Sequence, residues 1–303
     1  MKNRCLAIGD LAFNISLFVE EFLPVEFDQE VFKRVEGISG APSYFSVVAC
    51  QLGMKAGIIS RVGTDSTGKR IINALQQRRV DVSQVIMRKG KTPLFVSIYD
   101  KAFQRKLYFH ASNLRLSPND VNRRKIEPTD IVYICPTTLE TSLKAAKFGR
   151  IQKKIVAFGP GSNFITLGLE GISGVLANVD FLFLNEHEAR LYCRKDSLVE
   201  CCRKIAGYGT DIIAITRGAK GCFIFENSNI ITDAGFKVRA ENPTGAGEAF
   251  VAGFLHEYLE TKDAKEAAKF ANATGACAVS RKRVVENPPT LRMIRSLLKK
   301  PQN

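Results

Sequence analysis

Apolar and polar positions follow two different rhythms along the chain. About a third of the way along the chain, residues 93–99 and 105–110 alternate apolar with polar side chains around a short polar stretch, which predicts a β-hairpin. Later, short apolar runs recur at intervals of roughly 20 to 30 residues, with helical patterns between them. These runs are 131–135, 155–158, 181–184 and 212–215. The second rhythm predicts βαβ units and a parallel sheet covered by helices on both faces.

The clearest helical pattern follows Glu248. Two rows of apolar residues with a spacing of four predict the buried face of an amphipathic helix, and they are Phe250, Phe254 and Tyr258, and Val251, Leu255 and Leu259. A second amphipathic helix is predicted over residues 263–279, and a further helix is predicted to follow residues 37–45 and to run to about residue 52. Strands are predicted at residues 4–9 and 56–60. We expect one main domain over residues 1–303.

The loop before the Glu248 helix has the composition of an anion-binding turn. Gly245 and Gly247 flank Ala246, so the backbone can turn tightly, expose N–H groups and admit a ligand closely. The positive end of the helix dipole points to the same volume, which suits a phosphate. Glu248 in the first turn is a candidate base for phosphoryl transfer. The alternative is a glycine-rich turn with an acidic residue that stabilises a helix N-terminus.

The charge of the chain raises the question of nucleic-acid binding. The formal net charge is +14 and the pI is about 9.5, but the basic residues are scattered in small groups. None of these groups is interleaved with aromatic residues as in an RNA-binding motif, and none forms a basic DNA-binding helix. We therefore interpret the charge as steering of anionic ligands and as a contribution to solubility, and we do not favour a nucleic-acid partner.

The cysteines and the N-terminal residues indicate in which cellular compartment the protein is expected. The eight cysteines contain no Cys-x-x-Cys pair, and the three histidines do not cluster in the sequence, so neither disulfides nor a structural metal are expected. The apolar run after Arg4 is too short for a signal peptide or a membrane span. We expect a cytoplasmic protein without a membrane partner.

Residues 242–250 read Asn-Pro-Thr-Gly-Ala-Gly-Glu-Ala-Phe. This segment resembles the C-terminal motif of the ribokinase-like (PfkB-type) carbohydrate kinases, usually Asp-Thr/Pro-x-Gly-Ala-Gly-Asp-x-Phe. The resemblance implies phosphorylation of a hydroxyl group of a small sugar, polyol or nucleoside by ATP with Mg²⁺. It implies that Gly245, Ala246 and Gly247 belong to the catalytic loop and that Glu248 replaces the usual catalytic Asp. Asn242 replaces the opening Asp.

Two further segments resemble the nucleotide and metal motifs of this family. Asn185 and Glu188 fit an Asn-x-x-Glu motif whose carboxylate organises Mg²⁺ and its water shell, which implies Glu188 as the metal-associated residue. Taken alone, that motif is also a helix cap. The implied nucleotide-binding turn and the residue near the adenine contain Thr216, Gly218, Gly221 and Asn272.

The resemblance also implies a substrate site at the end of the first strand. Asp10 ends that strand, and Asn14 stands where the family has an Asp that binds substrate hydroxyls. Gly40 and Tyr44 lie in a segment similar to the family's Gly-Gly-x-x-x-Asn motif, with Tyr44 in place of Asn. Tyr44 is interpreted as a residue that stacks or packs on the substrate, or else as a core tyrosine.

The implied fold is α/β and ribokinase-like, with a doubly wound, mainly parallel central sheet covered by helices. A small β lid is expected to have strands within residues 16–36 and 93–110. We hypothesise a homodimer formed through this lid. Because four departures from the family pattern lie at the site (Asn14, Tyr44, Asn242 and Glu248), two functions are considered. The first is an active kinase, and the alternative is a catalytically impaired relative that acts as a nucleotide- or ligand-binding or scaffold protein.

Overall fold

The structure is a computed structural model that describes residues 4–24, 26–101, 105–110 and 114–302. The strands are β1 (Arg4–Ile8), β2 (Ala12–Phe18), β3 (Lys33–Ser39), β4 (Lys55–Gly63), β5 (Val85–Arg88), β6 (Leu94–Tyr99), β7 (Arg105–His110), β8 (Ile131–Ile134), β9 (Ile155–Phe158), β10 (Phe181–Asn185), β11 (Ile212–Thr216), β12 (Cys222–Glu226) and β13 (Asn229–Asp233). The helices are α1 (Ala41–Gln51), α2 (Ser66–Gln77), α3 (Arg123–Ile126), α4 (Leu139–Ile151), α5 (Gly168–Leu176), α6 (Glu186–Cys193), α7 (Leu198–Ala206), α8 (Ala246–Thr261), α9 (Ala264–Val279) and α10 (Leu291–Leu298).

A nine-stranded sheet forms the centre of the molecule, in the order β13-β12-β11-β10-β9-β8-β1-β4-β5. The strands from β11 to β5 run parallel, while β12 and β13 pair antiparallel at one edge. All four residues of β8 are buried, as expected of a strand that is covered on both faces. The carboxyl ends of the parallel strands therefore meet at one edge of the sheet, where ligands bind in such folds.

A second sheet of four strands has the order β3-β2-β6-β7, and we call it the lid. Its β6 and β7 pair antiparallel, with Leu94 opposite His110, as the alternation over residues 93–110 predicts. Residues 102–104 between them lie outside the described part of the chain. The sheet extends beyond the predicted ranges, because β2 begins at Ala12 and β3 ends at Ser39.

Aromatic packing fixes the position of α8 on the central sheet. The rings of Phe181 and Tyr258 lie 5.2 Å apart, those of Phe183 and Phe254 lie 5.6 Å apart, and Phe183 also meets Phe250. Phe250 and Phe254 are buried, so the predicted apolar row is the face that packs on β10. Because the helix runs antiparallel to β10, its first turn lies at the carboxyl end of that strand.

Helices cover both faces of the central sheet. One apolar core joins α1, α8 and α9 to the sheet, and the other joins α4, α5, α6 and α7 to its opposite face. No helix within the described ranges is both long and apolar enough to span a membrane.

Candidate active site

The predicted anion-binding turn consists of residues 245–247, and we call it the cradle. It begins with a left-handed residue and leads directly into α8. Gly245 has φ 83°, and a β carbon at this position would lie 2.8 Å from Cδ1 of Tyr44. Both the conformation and the close approach therefore require glycine. Gly247 differs, because a β carbon there would meet no protein atom within 4 Å. The space beside Gly247 is open to a ligand, and the first turn of α8 borders it.

Glu248 lies in the first turn of α8 and is partly buried. Burial raises the pKa of its carboxyl group to about 7, a backbone N–H opposes the rise, and the negative charge of Glu188 adds to it. A carboxyl group with a pKa near 7 exchanges its proton at physiological pH, which is the property required of a general base.

Asn185 and Glu188 form a reciprocal cap at the start of α6. The Asn185 N–H donates to Glu188 Oε2 at 3.0 Å, and the Glu188 N–H donates to Asn185 Oδ1 at 2.8 Å. Burial raises the pKa of Glu188, and the hydrogen bonds from Asn185 oppose this rise. Asn185 and Glu188 therefore do cap α6, as the alternative interpretation of the motif predicts. The Glu188 carboxylate is also close enough to Glu248 to affect its pKa.

The turn predicted to lie along the nucleotide follows β11. Thr216 is opposite Asn185 in the sheet, and its Oγ1 donates to the Leu184 carbonyl at 3.5 Å. Gly218 and Gly221 have φ 57° and 78°. A β carbon on Gly221 would lie 1.9 Å from the carbonyl oxygen of Asp233, so this turn packs directly against the end of β13.

Asn272 is a buried amide that connects α9 with the end of β13. Its Nδ2 donates to Asp233 Oδ1 at 2.6 Å, and Gln302 Nε2 donates to both oxygens of the same carboxylate. The side chain is only 9% exposed. The amide nitrogen is thus used within the protein, and the predicted contact with an adenine stays a prediction.

Asp10 and Gly40 meet at the end of β1. Asp10 accepts a hydrogen bond from the Leu116 N–H at 2.9 Å and pairs with Arg115, whose Nε lies 3.5 Å from Oδ2. Burial raises the pKa of Asp10, and these two partners oppose the rise. Gly40 has φ 102°, and a β carbon there would lie 2.4 Å from the Asp10 carbonyl oxygen. Arg115 was missed in the sequence, since no local motif surrounds it.

Asn14 lies on the lid strand β2 and has an ordered amide. Its Oδ1 accepts from Ser97 Oγ at 3.0 Å, and its Nδ2 donates to Ser16 Oγ at 2.7 Å. A narrow cleft between the lid and the cradle is lined by Asn14, Ser16, Tyr44, Asn242, Thr244 and Arg283.

Tyr44 is almost fully buried, with 9% of its surface exposed, and its hydroxyl lies 3.3 Å from both the Ile38 carbonyl oxygen and Ser39 Oγ. Its ring packs against Gly245. The structure therefore places Tyr44 behind the cradle, between the end of β3 and the first turn of α8. This position matches the core-tyrosine alternative more closely than a ring exposed to the substrate.

The described residues contain no group of three or more His, Cys, Asp or Glu side chains that would hold a metal ion by themselves. Glu188 and Glu248 are two carboxyl groups at the site, and the negative charge of Glu188 acts on Glu248. Carboxylate oxygens suit Mg²⁺, which commonly keeps several waters and uses only one or two carboxylates. A cation would also relieve the mutual repulsion of the two groups, so these residues fit Mg²⁺.

An α/β core, a four-stranded lid and a glycine cradle at a helix start define a nucleotide- or phosphate-handling class of protein. The profile of the pfkB family carbohydrate kinase matches residues 2–291. The chain belongs to this family, and the predicted family and fold are confirmed.

Individual relatives agree with this assignment. The chain is 26% identical over 288 residues to a nucleoside kinase of Methanothermobacter thermautotrophicus, covering 94% of this chain and 92% of the relative. It is 29% identical over 284 residues to an ATP-dependent ribose-1-phosphate kinase of Halopiger xanaduensis, covering 92% of each. The fold is similar to that of Arabidopsis thaliana ribokinase complexed with ribose and ATP, with a TM-score of 0.85, 18% identity and coverage of 99% and 100%.

Proposed function

We propose that the protein transfers a phosphoryl group from ATP, with Mg²⁺, to a hydroxyl group of a small sugar, polyol or nucleoside. The observation that carries the proposal is the Glu248 carboxyl group, whose pKa is about 7, in the first turn of the helix that follows the left-handed Gly245. The base and the anion cradle thus belong to one rigid unit, and phosphoryl transfer depends mainly on such positioning.

The cradle would bind the phosphate groups of the nucleotide. In the first turn of a helix the N–H groups lack carbonyl partners in a preceding turn, and the helix dipole favours negative charge at the same place. The Ala246 N–H donates to the Pro243 carbonyl at 3.2 Å, so the N–H of Gly247 is the one that we assign to the phosphate. The open space beside Gly247 admits an oxygen atom close to the backbone. The turn of Thr216, Gly218 and Gly221 is proposed to lie along the rest of the nucleotide, with Asn272 nearer the base.

Glu248 would act on the acceptor. In its ionised form the carboxylate accepts the proton of the substrate hydroxyl as the oxygen attacks the terminal phosphorus of ATP, while the bond from that phosphorus to the bridging oxygen breaks and ADP leaves. Its longer side chain places the carboxylate farther from the backbone than an Asp would. Because the pKa is about 7, the ionised form predominates only above neutral pH.

Glu188, oriented by Asn185, would hold Mg²⁺ through water or directly. The ion, when bound, neutralises charge that develops on the transferring phosphoryl group. The Asn185 N–H holds Oε2 of the carboxylate, so the orientation of Glu188 is fixed before the ion arrives.

The acceptor would lie between the lid and the end of β1, near Asp10, Asn14 and Gly40. The names of the relatives support a sugar or nucleoside, since one is a nucleoside kinase and another a ribose-1-phosphate kinase. Asn14 offers an amide held by two serine hydroxyls, which can both donate to and accept from substrate hydroxyls.

We also propose that the lid mediates a homodimer. On β7, Leu107, Tyr108 and Phe109 are 46%, 58% and 38% exposed, which is unusual for three consecutive apolar or aromatic residues. The test is the molar mass in solution, measured by light scattering. We expect the mass of a dimer for the natural protein and the mass of a monomer for Tyr108→Lys, and a monomeric natural protein would contradict the proposal.

The function is tested by a screen of sugars, polyols and nucleosides for substrate-dependent ADP release, with Glu248→Gln as the matched control. We expect at least one compound to support turnover in the natural protein and not in the variant. ATP binding without turnover on any compound would instead favour the non-catalytic nucleotide-binding relative. The absence of any ATP binding would contradict both functions.

A further inference from the structure

The amide of Asn242 joins two segments that lie far apart in the chain. Its Oδ1 accepts from the Thr244 N–H at 2.9 Å, and its Nδ2 donates to the Lys282 carbonyl at 2.9 Å. Thr244 immediately precedes Gly245 of the cradle. A carboxamide supplies a donor and an acceptor on one planar group, whereas an ionised carboxylate only accepts. Asparagine and aspartate have the same shape, but only asparagine can donate the hydrogen bond to the Lys282 carbonyl.

Lys282 belongs to residues 280–287, which follow α9 and which we call the basic segment. This segment contains the consecutive cations Arg281, Lys282 and Arg283. Val279, the last residue of α9 and the residue directly before the segment, is tied to the residues that precede the cradle, since the N–H groups of Glu241 and Asn242 donate to its carbonyl at 2.8 and 3.1 Å. The Asn242 amide extends this connection by one more hydrogen bond, further into the segment.

The other end of the basic segment touches the lid. A β carbon on Gly37 of β3 would lie 3.4 Å from Glu286 Oε1 and 3.8 Å from Cδ of Arg283. Arg283 and Glu286 pair with each other at 3.5 Å. The guanidinium group of Arg78 donates to the Glu286 carbonyl and anchors this end on α2 and its following turn. The segment therefore contacts the cradle at Lys282 and the lid at Glu286.

We propose that Asn242 is a positioning residue that fixes the cradle against the basic segment and, through that segment, couples nucleotide binding to the lid strand β3. The inference rests on the proposed function, because it assigns the cradle to the nucleotide. It also gives a physical reason for the departure from the family's Asp. An aspartate would still accept from the Thr244 N–H, but it would place an oxygen against the Lys282 carbonyl oxygen at hydrogen-bond distance.

The test is Asn242→Asp with Asn287→Asp as the matched control. Both changes replace an amide with a carboxylate beside the same cations, but Asn287 is exposed and lies at the far end of the segment. We expect Asn242→Asp to weaken the affinity for Mg·ADP about tenfold, in line with the loss of one hydrogen bond and the repulsion between the new carboxylate and the Lys282 carbonyl oxygen. Asn287→Asp should stay within about twofold of the natural protein.

Hydrogen exchange distinguishes positioning from a general loss of stability. In the natural protein, Mg·ADP should slow exchange in residues 241–247, in the basic segment and in β3. In Asn242→Asp, saturated with the nucleotide, the slowing should persist in residues 241–247 and disappear from β3. If Asn242→Asp folds poorly, Asn242→Ser provides the same test, because its hydroxyl still reaches the Thr244 N–H but is too short for the Lys282 carbonyl.

Equal effects of the two aspartate variants, or unchanged protection of β3 in Asn242→Asp, would overturn the positioning role. These results are distinct from a failure of the proposed function. If the natural protein does not bind Mg·ADP, the proposed function fails, whereas normal binding with an unaffected Asn242→Asp contradicts only the inference drawn from Asn242.

Discussion

The two sides of the cleft are built in different ways. On the cradle side the geometry resides in the backbone, where Gly245 has φ 83° and packs too closely against Tyr44 for a side chain. On the lid side it resides in side chains, where Asn14 is held by the hydroxyl groups of Ser16 and Ser97. Substitutions on the cradle side should therefore weaken nucleotide binding strongly, whereas substitutions on the lid side should change the affinity for the acceptor by a smaller factor.

The largest expected effect lies on the cradle side, at Gly247. A valine there meets no protein atom within 4 Å at its β carbon, and valine is a better helix residue than glycine, so the unliganded protein should keep or slightly raise its melting temperature. The side chain would occupy the space assigned to the phosphate, and overpacking of about 1–3 kcal/mol corresponds to roughly 5- to 150-fold weaker binding.

The measurement is the rise in melting temperature with Mg·ATP, which should be lost in Gly247→Val and reduced in Gly247→Ala. A full shift in the valine variant would show that the nucleotide lies elsewhere.

A smaller effect is expected from pH. The Glu248 carboxyl group has a pKa of about 7, raised from 4.5, so the base is ionised above pH 7 and protonated below it. The value of kcat/KM should then fall about tenfold for each unit below pH 7 and level off above it. The control is the affinity of Glu248→Gln for ATP over the same pH range. Any pH dependence seen there comes from ATP or from other groups, because this variant lacks the carboxylate. A flat profile between pH 6 and pH 8 would contradict the role of Glu248.

The smallest effect is expected on the lid side. Asn14→Ala removes the amide that we assign to the acceptor, and should raise KM for the acceptor about tenfold with little change in KM for ATP. Ser97→Ala leaves the amide in place but removes one hydrogen bond that orients it, so its effect should be smaller still. A larger change in KM for ATP than in KM for the acceptor would contradict the assignment of Asn14 to the acceptor site.

The difference between the backbone-built cradle and the side-chain-built lid also explains how much could be predicted from the sequence. The glycines of the cradle were predictable because a tight turn before an amphipathic helix leaves few alternatives, and β9 was predicted at its observed bounds. The edge strands β12 and β13 were missed, although Asn227 and Ser228 between them adopt the φ values of 49° and 65° typical of a hairpin turn. In this case a local signal was present.

Other contacts left no such signal. Arg115 pairs with Asp10, and Lys282 accepts from Asn242, across separations of 105 and 40 residues along the chain. The burial of Tyr44 behind Gly245 likewise depends on how α1 and α8 pack. Such contacts arise only when the elements assemble, because neither partner has a local pattern that specifies the other.

The most direct test of the central claim is Glu248→Gln in a confirmed substrate assay. We predict that kcat falls at least about 100-fold while the affinity for ATP is nearly unchanged, because general-base catalysis contributes on that scale. Since the raised pKa of Glu248 disfavours its ionised form in the folded protein, stability is lost as pH rises from 4.5 to about 7. The variant should therefore melt at a higher temperature at pH 8 and at the same temperature near pH 4. Turnover equal to that of the natural protein would contradict the claim and leave Glu248 as a charge at a helix terminus.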